Sequence, residues 1–236
     1  MKTIGLIGGM SWESSLEYYR IINEEVKKKL GGFHSGKIVM YSVEFAEIEK
    51  LQHEGDWDKA TEFMIDAAQK VEKGGADFLL ICTNTMHKMA EEVQQNIDIP
   101  LLHMVDVVAE EIQAKGQKKV GLLGTRFTME QDFYKGRLLK KHEIEAIIPP
   151  LDERKSIHSI LYNELCLGEI KKASKDKFET IINNLVARGA EGIILGCTEI
   201  PLLVDQEDYE VPLFDTTTIH AKAAVKYAIS VNGNLF

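Results

Sequence analysis

Two stretches of this chain repeat each other in the same order, and this internal repeat constrains the fold more than any other feature. Residues 75–85 (Gly-Ala-Asp-Phe-Leu-Leu-Ile-Cys-Thr-Asn-Thr) align without gaps with residues 189–199 (Gly-Ala-Glu-Gly-Ile-Ile-Leu-Gly-Cys-Thr-Glu). Upstream, residues 4–8 match residues 120–124 at nearly the same offset. Two matches in one order predict two structurally related halves.

Short apolar runs alternate along the chain with longer amphipathic stretches. The apolar runs lack a clean polar alternation and each precedes a helical pattern, which is typical of βαβ units in parallel sheets. We expect an α/β fold of two pseudo-symmetric, Rossmann-like or flavodoxin-like lobes with parallel sheets. The predicted strands cover residues 3–7, 37–43, 78–82, 101–104, 119–123, 144–148, 192–195 and 213–214, and the clearest predicted helices cover residues 14–30, 58–73, 85–95 and 175–187.

The repeat also suggests where the lobes begin and end. The first lobe is expected to comprise residues 1–103 plus 216–236, because the last predicted helix returns to it, and the second lobe residues 104–215. In open parallel sheets, ligands bind beyond the carboxyl ends of the strands. Both repeated strands end there in small polar residues. Two lobes facing each other about a pseudo-dyad would therefore form an interlobe active-site cleft.

Composition excludes several classes of function. Of 236 residues, 44% are apolar, and a net charge of −9 provides no surplus of cations for nucleic acid. No apolar run approaches the roughly 20 residues that span a bilayer, and the first residues do not resemble a signal peptide. Three dispersed cysteines and seven histidines without ligand spacing predict no zinc site or disulfide framework. We expect a cytoplasmic protein with no metal, nucleic-acid or membrane partner.

Cys197 lies at a predicted strand-to-helix turn and has two interpretations. It is either a buried structural cysteine or a thiolate stabilised by a helix N-terminus, with Gly196 allowing a ligand to approach. Its repeat partner is Thr83, whereas Cys82 corresponds to Gly196. Neighbouring strand residues point to opposite faces, so Thr83 should share the orientation of Cys197 and Cys82 should be in the core. The alternative is a bulge that turns Cys82 into the cleft.

The residues after each repeated strand open a predicted helix. Asn84, Thr85 and Met86 do so in the first half, and Thr198 and Glu199 in the second. Such residues either cap the helix or help its free N–H groups to bind a carboxylate. A further turn, at residues 5–10, does not fit the G-x-G-x-x-G pattern of a dinucleotide site. His87, His103 and His220 are interpreted as core or surface residues.

Four motifs together resemble the aspartate/glutamate racemase family. They are Gly-Gly-Met at residues 8–10, Thr-Asn-Thr-Met-His at 83–87, Leu-Leu-Gly-Thr at 122–125 and Gly-Cys-Thr-Glu at 196–199. The resemblance covers almost the whole chain. The segments at residues 11–14, 82–87 and 129–134 are most similar to the branch of L-aspartate/glutamate-specific racemases.

The resemblance implies a cofactor-independent racemase, with two α/β lobes and commonly a homodimer, that moves the Cα proton of an amino acid. Family members place one cysteine in each lobe, and here Cys197 keeps its position while Thr83 replaces the other cysteine. A hydroxyl is a poorer base than a thiolate. We therefore expect Cys197 to take the proton and Thr83 to return one on the opposite face. The reverse direction should be slower, with a preference for L-glutamate and L-aspartate.

The resemblance also implies substrate contacts by motif position, although Glu199 could instead orient Cys197 or cap its helix. The family carries an Arg in the loop after the second strand and a Lys near residue 166, which would bind a side-chain carboxylate. Here the loop at residues 49–54 contains no Arg, and Cys166 stands at the Lys position. Neutral polar amino acids are therefore an alternative to acidic ones. The expected contacts are Met10, Gln52, Asn84, Thr85, Met86, Thr125, Thr198 and Glu199.

Other functions share this architecture. A one-cysteine decarboxylase or an isomerase of the same superfamily could protonate an enolate, and maleate isomerases or hydantoin racemases would share the fold. A periplasmic-type binding module also has two lobes and a cleft. Loss of the Cα hydrogen into solvent distinguishes an enzyme from a binding module, and release of carbon dioxide distinguishes a decarboxylase from a racemase.

Overall fold

The computed structural model describes residues 1–230, in which two parallel β-sheets alternate with helices along the chain. This confirms the predicted α/β class. The chain divides into two compact units, one comprising Met1–Met104 and the chain from His220 onward, the other Val105–Ile219. Residues 231–236 of the expected first lobe lie outside the described residues.

The first unit contains a three-stranded parallel sheet in the order β2-β1-β3. Every residue of β1 and β3 is buried, which explains why their sequences are continuously apolar instead of alternating. The strands are β1 (Ile4–Gly8), β2 (Ile38–Ser42) and β3 (Phe78–Ile81). The helices are α1 (Trp12–Leu30), α2 (Phe45–Glu54), α3 (Trp57–Lys73), α4 (Ala90–Gln95), the first residue of α5 (Met104–Ala114) and most of α10 (Thr216–Ile229).

The second unit contains a four-stranded parallel sheet in the order β5-β4-β6-β7. Its core joins β4 and β6 to apolar side chains of α8 and α9, such as Leu161 and Phe178. The strands are β4 (Lys119–Gly124), β5 (Glu145–Ile147), β6 (Ile193–Gly196) and β7 (Leu213–Asp215). The further helices are α6 (Arg126–Glu130), α7 (Asp132–His142), α8 (Leu151–Asn163) and α9 (Lys172–Ala187).

The two sheets have the same strand order. In each, the first strand of the unit is central, the second strand lies on one side and the third on the other. The correspondence extends to the fourth position, where Leu101 forms a parallel bridge with Leu79 just as Leu213 of β7 pairs with Ile193. The repeat in the sequence is therefore also a repeat of topology.

Three local predictions are wrong. The strand expected at residues 101–104 is reduced to the bridge at Leu101, because Met104 begins α5. Residues 49–54, expected to be a loop, form the second half of α2, whose inner face buries Ile48 and Gln52. The helix expected at residues 85–95 is split into a 3-10 turn (Thr85–Met89) and α4.

Candidate active site

The turn after β1 is closed by hydrogen bonds within the chain. Gly9 has a φ of +92°, and a side chain there would strike the Val43 carbonyl. The Gly9 N–H donates to Ser15 Oγ at 2.7 Å. The next residue, Met10, is 5% exposed and belongs to the hydrophobic core of the first unit. Met10 therefore packs in the interior beside the end of β1.

The end of β3 separates Cys82 from Thr83. Cys82 is 1% exposed, and its N–H donates to the Ile7 carbonyl at 2.9 Å, which continues the ladder between β1 and β3. No bulge occurs at this position. Burial also raises the pKa of the Cys82 thiol well above its ordinary value. Thr83, the next residue, is partly exposed, so it is the more accessible of the two residues.

The residues after Thr83 enter the 3-10 turn, and their side chains are largely buried. Asn84 and Thr85 are each 5% exposed, and the Asn84 side chain does not cap the turn. Met86 is fully buried, and its sulfur accepts a hydrogen bond of 3.1 Å from the amide of Gln52 on α2. In this structure, Gln52 and Met86 contact each other in the interior of the first unit.

The corresponding strand ends of the second unit lie side by side. Gly124 of β4 pairs with Gly196 of β6, so the following residues, Thr125 and Cys197, leave neighbouring strands. The Thr125 hydroxyl accepts a hydrogen bond of 3.3 Å from the Thr128 N–H and caps α6. A Cβ atom at Gly196 would lie 2.6 Å from the Leu123 carbonyl oxygen, so this close approach requires glycine.

Cys197 is hydrogen bonded to a carboxylate two residues further along the chain. Its Sγ lies 2.9 Å from Glu199 Oε2, which also accepts a bond of 3.1 Å from the Thr198 hydroxyl. Glu199 is 7% exposed, whereas Cys197 is partly exposed. Burial, followed by the Glu199 charge, raises the pKa of the Cys197 thiol well above its ordinary value. The resting group is a thiol that donates to Glu199.

The helix expected to stabilise a Cys197 thiolate does not form. A 3-10 turn of three residues, Ile200–Leu202, follows instead. So short a segment aligns too few peptide dipoles to stabilise an anion appreciably. Of the two interpretations of Cys197, the one in which a helix N-terminus lowers its pKa is therefore wrong, and Glu199 is the first polar neighbour to affect that pKa.

Cys166, which the sequence marked only for its lack of a positive charge, is a neighbour of Cys197. It lies in the 3-10 turn Leu165–Leu167 after α8, and electrostatic repulsion between the two sulfur groups adds to the rise in the pKa of the Cys197 thiol. The adjacent Leu165 packs in the same hydrophobic cluster as Cys197. Cys166, which the family resemblance placed at the Lys position, is thus near Cys197.

The histidines singled out in the sequence are core residues. His87, His103 and His220 are 3%, 9% and 0% exposed. Across residues 1–230, the structure has no group of three or more His, Cys, Asp or Glu side chains arranged to hold a metal ion. Within the same residues, no helix combines the length and the apolar content needed to cross a lipid bilayer.

Comparison with known proteins gives consistent matches over nearly the whole chain. A model of the Asp/Glu/hydantoin racemase family matches residues 7–224. The broad-specificity amino-acid racemase RacX of Bacillus subtilis is 27% identical over 232 residues, which cover 94% of this chain and 96% of RacX.

Two solved structures are also similar. A protein from Yersinia pestis described as an Asp/Glu racemase is 53% identical, with a TM-score of 0.92 and coverage of 98% of this chain and 100% of that one. An aspartate racemase homologue from Pyrococcus horikoshii is 35% identical, with a TM-score of 0.86 and coverage of 98% and 100%.

Proposed function

Because the chain belongs to the Asp/Glu/hydantoin racemase family, we propose that it is a cofactor-independent racemase that interconverts the L- and D-forms of glutamate and aspartate. The observation that carries this proposal is the equivalence of Thr83 and Cys197. Each follows the third strand of its unit, each is partly exposed, and each comes directly after a buried residue, Cys82 or Gly196. The two groups are proposed to act on opposite faces of one substrate.

Cys197 is the proposed base. Its proton passes to Glu199, which already accepts the Sγ hydrogen bond. The thiolate then removes the Cα hydrogen: the C–H bond breaks, an S–H bond forms, and the electron pair is delocalised into the substrate's α-carboxylate. The Thr83 hydroxyl donates its proton to the opposite face of Cα and regains one from water. The proton held by Glu199 neutralises the hydroxide formed, which restores the Glu199 carboxylate.

The preference for L-substrates is subject to a thermodynamic condition. Two enantiomers have the same free energy in water, so kcat/KM must be equal in the two directions. A preference for L-glutamate or L-aspartate is therefore expected as a higher kcat for the L-form than for the D-form, with KM higher by the same factor. It is also expected in the rate at which Cα–H exchanges with solvent without inversion.

The proposed substrate contacts fall into two groups. Those in the first unit are Met10, Gln52, Asn84, Thr85 and Met86, and those in the second are Thr125, Thr198 and Glu199. Thr198 is partly exposed, and hydroxyl groups of this kind can donate to an α-carboxylate. Gln52 and Met86 are buried against each other, so they would shape the pocket more than they would bind charge.

Neutral polar amino acids are a second candidate substrate class. Cys166, beside Cys197, supplies no positive charge, and the Gln52 amide N–H donates to a sulfur atom. Neither residue offers the charge-assisted hydrogen bonds that favour a side-chain carboxylate. The similarity to a broad-specificity racemase supports the same alternative. The family resemblance also supports a homodimer, which light scattering after size-exclusion chromatography would test.

Proton NMR in D₂O tests the proposed function. The purified protein, without pyridoxal phosphate, is given each enantiomer of glutamate, aspartate, glutamine and asparagine. We expect loss of the Cα proton signal together with fading optical rotation, and no loss with the Cys197→Ala variant. Absence of exchange with all eight compounds would refute the proposal. Release of carbon dioxide from substituted malonates would then favour the decarboxylase.

A further inference from the structure

His87 links the backbone of Thr83 to the beginning of α5 through both nitrogens of its ring. The Nδ1 atom lies 2.7 Å from the Thr83 carbonyl oxygen. The Met104 N–H donates to Nε2 at 3.2 Å. The His87 side chain is nearly inaccessible, with 3% of its surface exposed. Water therefore competes little for these bonds, and both protein partners need them.

The two contacts select one form of the ring. A carbonyl oxygen only accepts, so Nδ1 must carry a hydrogen and donate to Thr83. A backbone N–H only donates, so Nε2 must be unprotonated to accept from Met104. The neutral Nδ1–H tautomer satisfies both requirements.

Packing and a second histidine hold the ring in place. The centroid of the His87 ring lies 4.8 Å from the ring centroid of His103 and 5.8 Å from that of His220, with both pairs packed edge to face. His220 donates from Nε2 to the Leu102 carbonyl and accepts at Nδ1 from the Tyr18 hydroxyl, each at 2.8 Å. His87 therefore contacts a ring whose own orientation is fixed at both nitrogens.

The second unit holds the equivalent carbonyl differently. There the Cys197 carbonyl accepts from the Ile200 N–H at 3.2 Å, within the 3-10 turn. The repeat partner of His87 is Pro201, which has no side-chain donor. Among the two equivalent carbonyls, the side-chain hydrogen bond, here called the tether, is thus made to that of Thr83, and that of Cys197 accepts from the backbone.

From these contacts we propose that His87 is a positioning residue for Thr83. This inference rests on the proposed racemase function. The hydrogen bond to the Thr83 carbonyl fixes the peptide plane after that residue, and with it the direction in which the hydroxyl leaves the backbone. A proton donor misplaced by about 1 Å loses on the order of 100-fold in rate. His87 thereby makes a weak acid effective by holding it in place.

Two substitutions separate the two contacts of the ring. In His87→Asn, the amide N–H lies near the position of Nδ1 and keeps the donor to Thr83. In His87→Gln, the amide lies near Nε2, so it can accept from Met104 but no longer reaches Thr83. Each variant leaves one buried partner unsatisfied, so the two should lose similar stability, which thermal unfolding checks. Thr83→Ala provides the reference for complete loss of the hydroxyl.

The readout is Cα–H exchange in D₂O measured separately from inversion, starting from each enantiomer. For His87→Gln we expect inversion to fall by about 10- to 100-fold. Exchange should continue from the enantiomer that Cys197 deprotonates, the pattern also expected of Thr83→Ala. His87→Asn should recover most of the inversion. Without substrate, ¹⁵N NMR of the wild-type protein should show the Nδ1–H tautomer at His87.

Equal inversion in the two His87 variants would overturn the inference, as would a parallel fall of exchange and inversion in His87→Gln. Observation of the Nε2–H tautomer would overturn it independently of activity. A wild-type protein that exchanges no amino acid would instead refute the proposed function, and with it the catalytic purpose of the tether. If the wild-type protein exchanges normally and His87→Asn and His87→Gln have the same inversion rate, only the role of His87 is refuted.

Discussion

The Cys197 thiol and the Glu199 carboxylate are joined by a hydrogen bond of 2.9 Å between Sγ and Oε2. The thiol proton is therefore directed at the Glu199 carboxylate, which is only 7% exposed. Two opposing effects follow from this one bond. The Glu199 charge disfavours ionisation of Cys197, yet the same carboxylate is the nearest group able to accept the proton.

Replacing Glu199 by Gln should therefore change thiol reactivity and catalysis in opposite directions. Because the Glu199 charge raises the pKa of Cys197, its removal should lower that pKa and speed alkylation by iodoacetamide near pH 8. Racemisation should fall on the order of 100-fold, since the proton acceptor is lost. Peptide-level mass spectrometry follows Cys197 separately from Cys166. Glu207→Gln, at an exposed acid, is the control, and slower alkylation of Glu199→Gln would contradict the prediction.

Thr83→Ala and Cys82→Ala should have contrasting effects. Loss of the Thr83 hydroxyl should lower inversion on the order of 100-fold, and Thr83→Ser should restore much of it. Cys82→Ala should lower the free energy of unfolding by about 1 kcal/mol through a small cavity, with inversion within a few-fold of wild type. Polarimetry and urea unfolding measure the two effects. Full activity of Thr83→Ala with an inactive Cys82→Ala would reverse the assignment.

Cys166→Lys should shift specificity towards acidic substrates. An ammonium group beside Cys197 can form a charge-assisted hydrogen bond with a side-chain carboxylate, which is expected to lower KM for glutamate by about tenfold. KM for glutamine should change little. Cys166→Ala is the matched control for loss of the thiol. Equal changes for glutamate and glutamine would show that residue 166 does not face the substrate side chain.

Stability should fall below neutral pH because of His220. Burial, and then the neighbouring His87, lowers the pKa of folded His220 to about 3, from an ordinary value of 6.5. In the unfolded chain, the His220 imidazole binds a proton as the pH falls through about 6.5. In the folded protein it stays neutral until about pH 3. The stabilisation is therefore complete above pH 6.5 and is lost as pH falls from 6.5 towards 3.

Urea unfolding at pH 7.5 and 5.5 measures this contribution. Between these two values, His220 should account for a loss of about 1.4 kcal/mol in the free energy of unfolding. His220→Gln, which cannot be protonated in this range, should remove that component of the pH dependence. Substitution of the exposed His53 by Gln should leave that pH dependence unchanged. An unchanged slope in His220→Gln would contradict the prediction.

The strands were predictable wherever burial on both faces made the sequence continuously apolar. Phe78–Ile81 and Ile193–Gly196 are examples, and every residue in both is buried. Their repetition also predicted which residue would be accessible at each strand end. Burial of Cys82 next to the partly exposed Thr83 follows directly from its alignment with Gly196.

Other features depended on contacts that the sequence does not encode locally. Leu101 forms one bridge because the chain turns into α5 at Met104, and a short apolar run cannot reveal that turn. In α2, the buried polar residue Gln52 interrupted the apolar stripe that would have indicated a helix. The effect of Glu199 on Cys197 required the side-chain geometry, since the sequence alone left a buried cysteine and a helix-stabilised thiolate equally open.

The close approach at Gly196 limits how this protein could be engineered to carry two matched thiols. Transplanting the Cys-Thr pair from positions 82–83 to 196–197 would drive a side chain into the Leu123 carbonyl and force the central strands of that sheet apart. Cys82 meets no such obstacle, because the interior of its own unit accommodates it. The Cys-Thr motif of the first unit therefore cannot replace the Gly-Cys motif of the second. A pair of equivalent thiols requires a cysteine at position 83 instead.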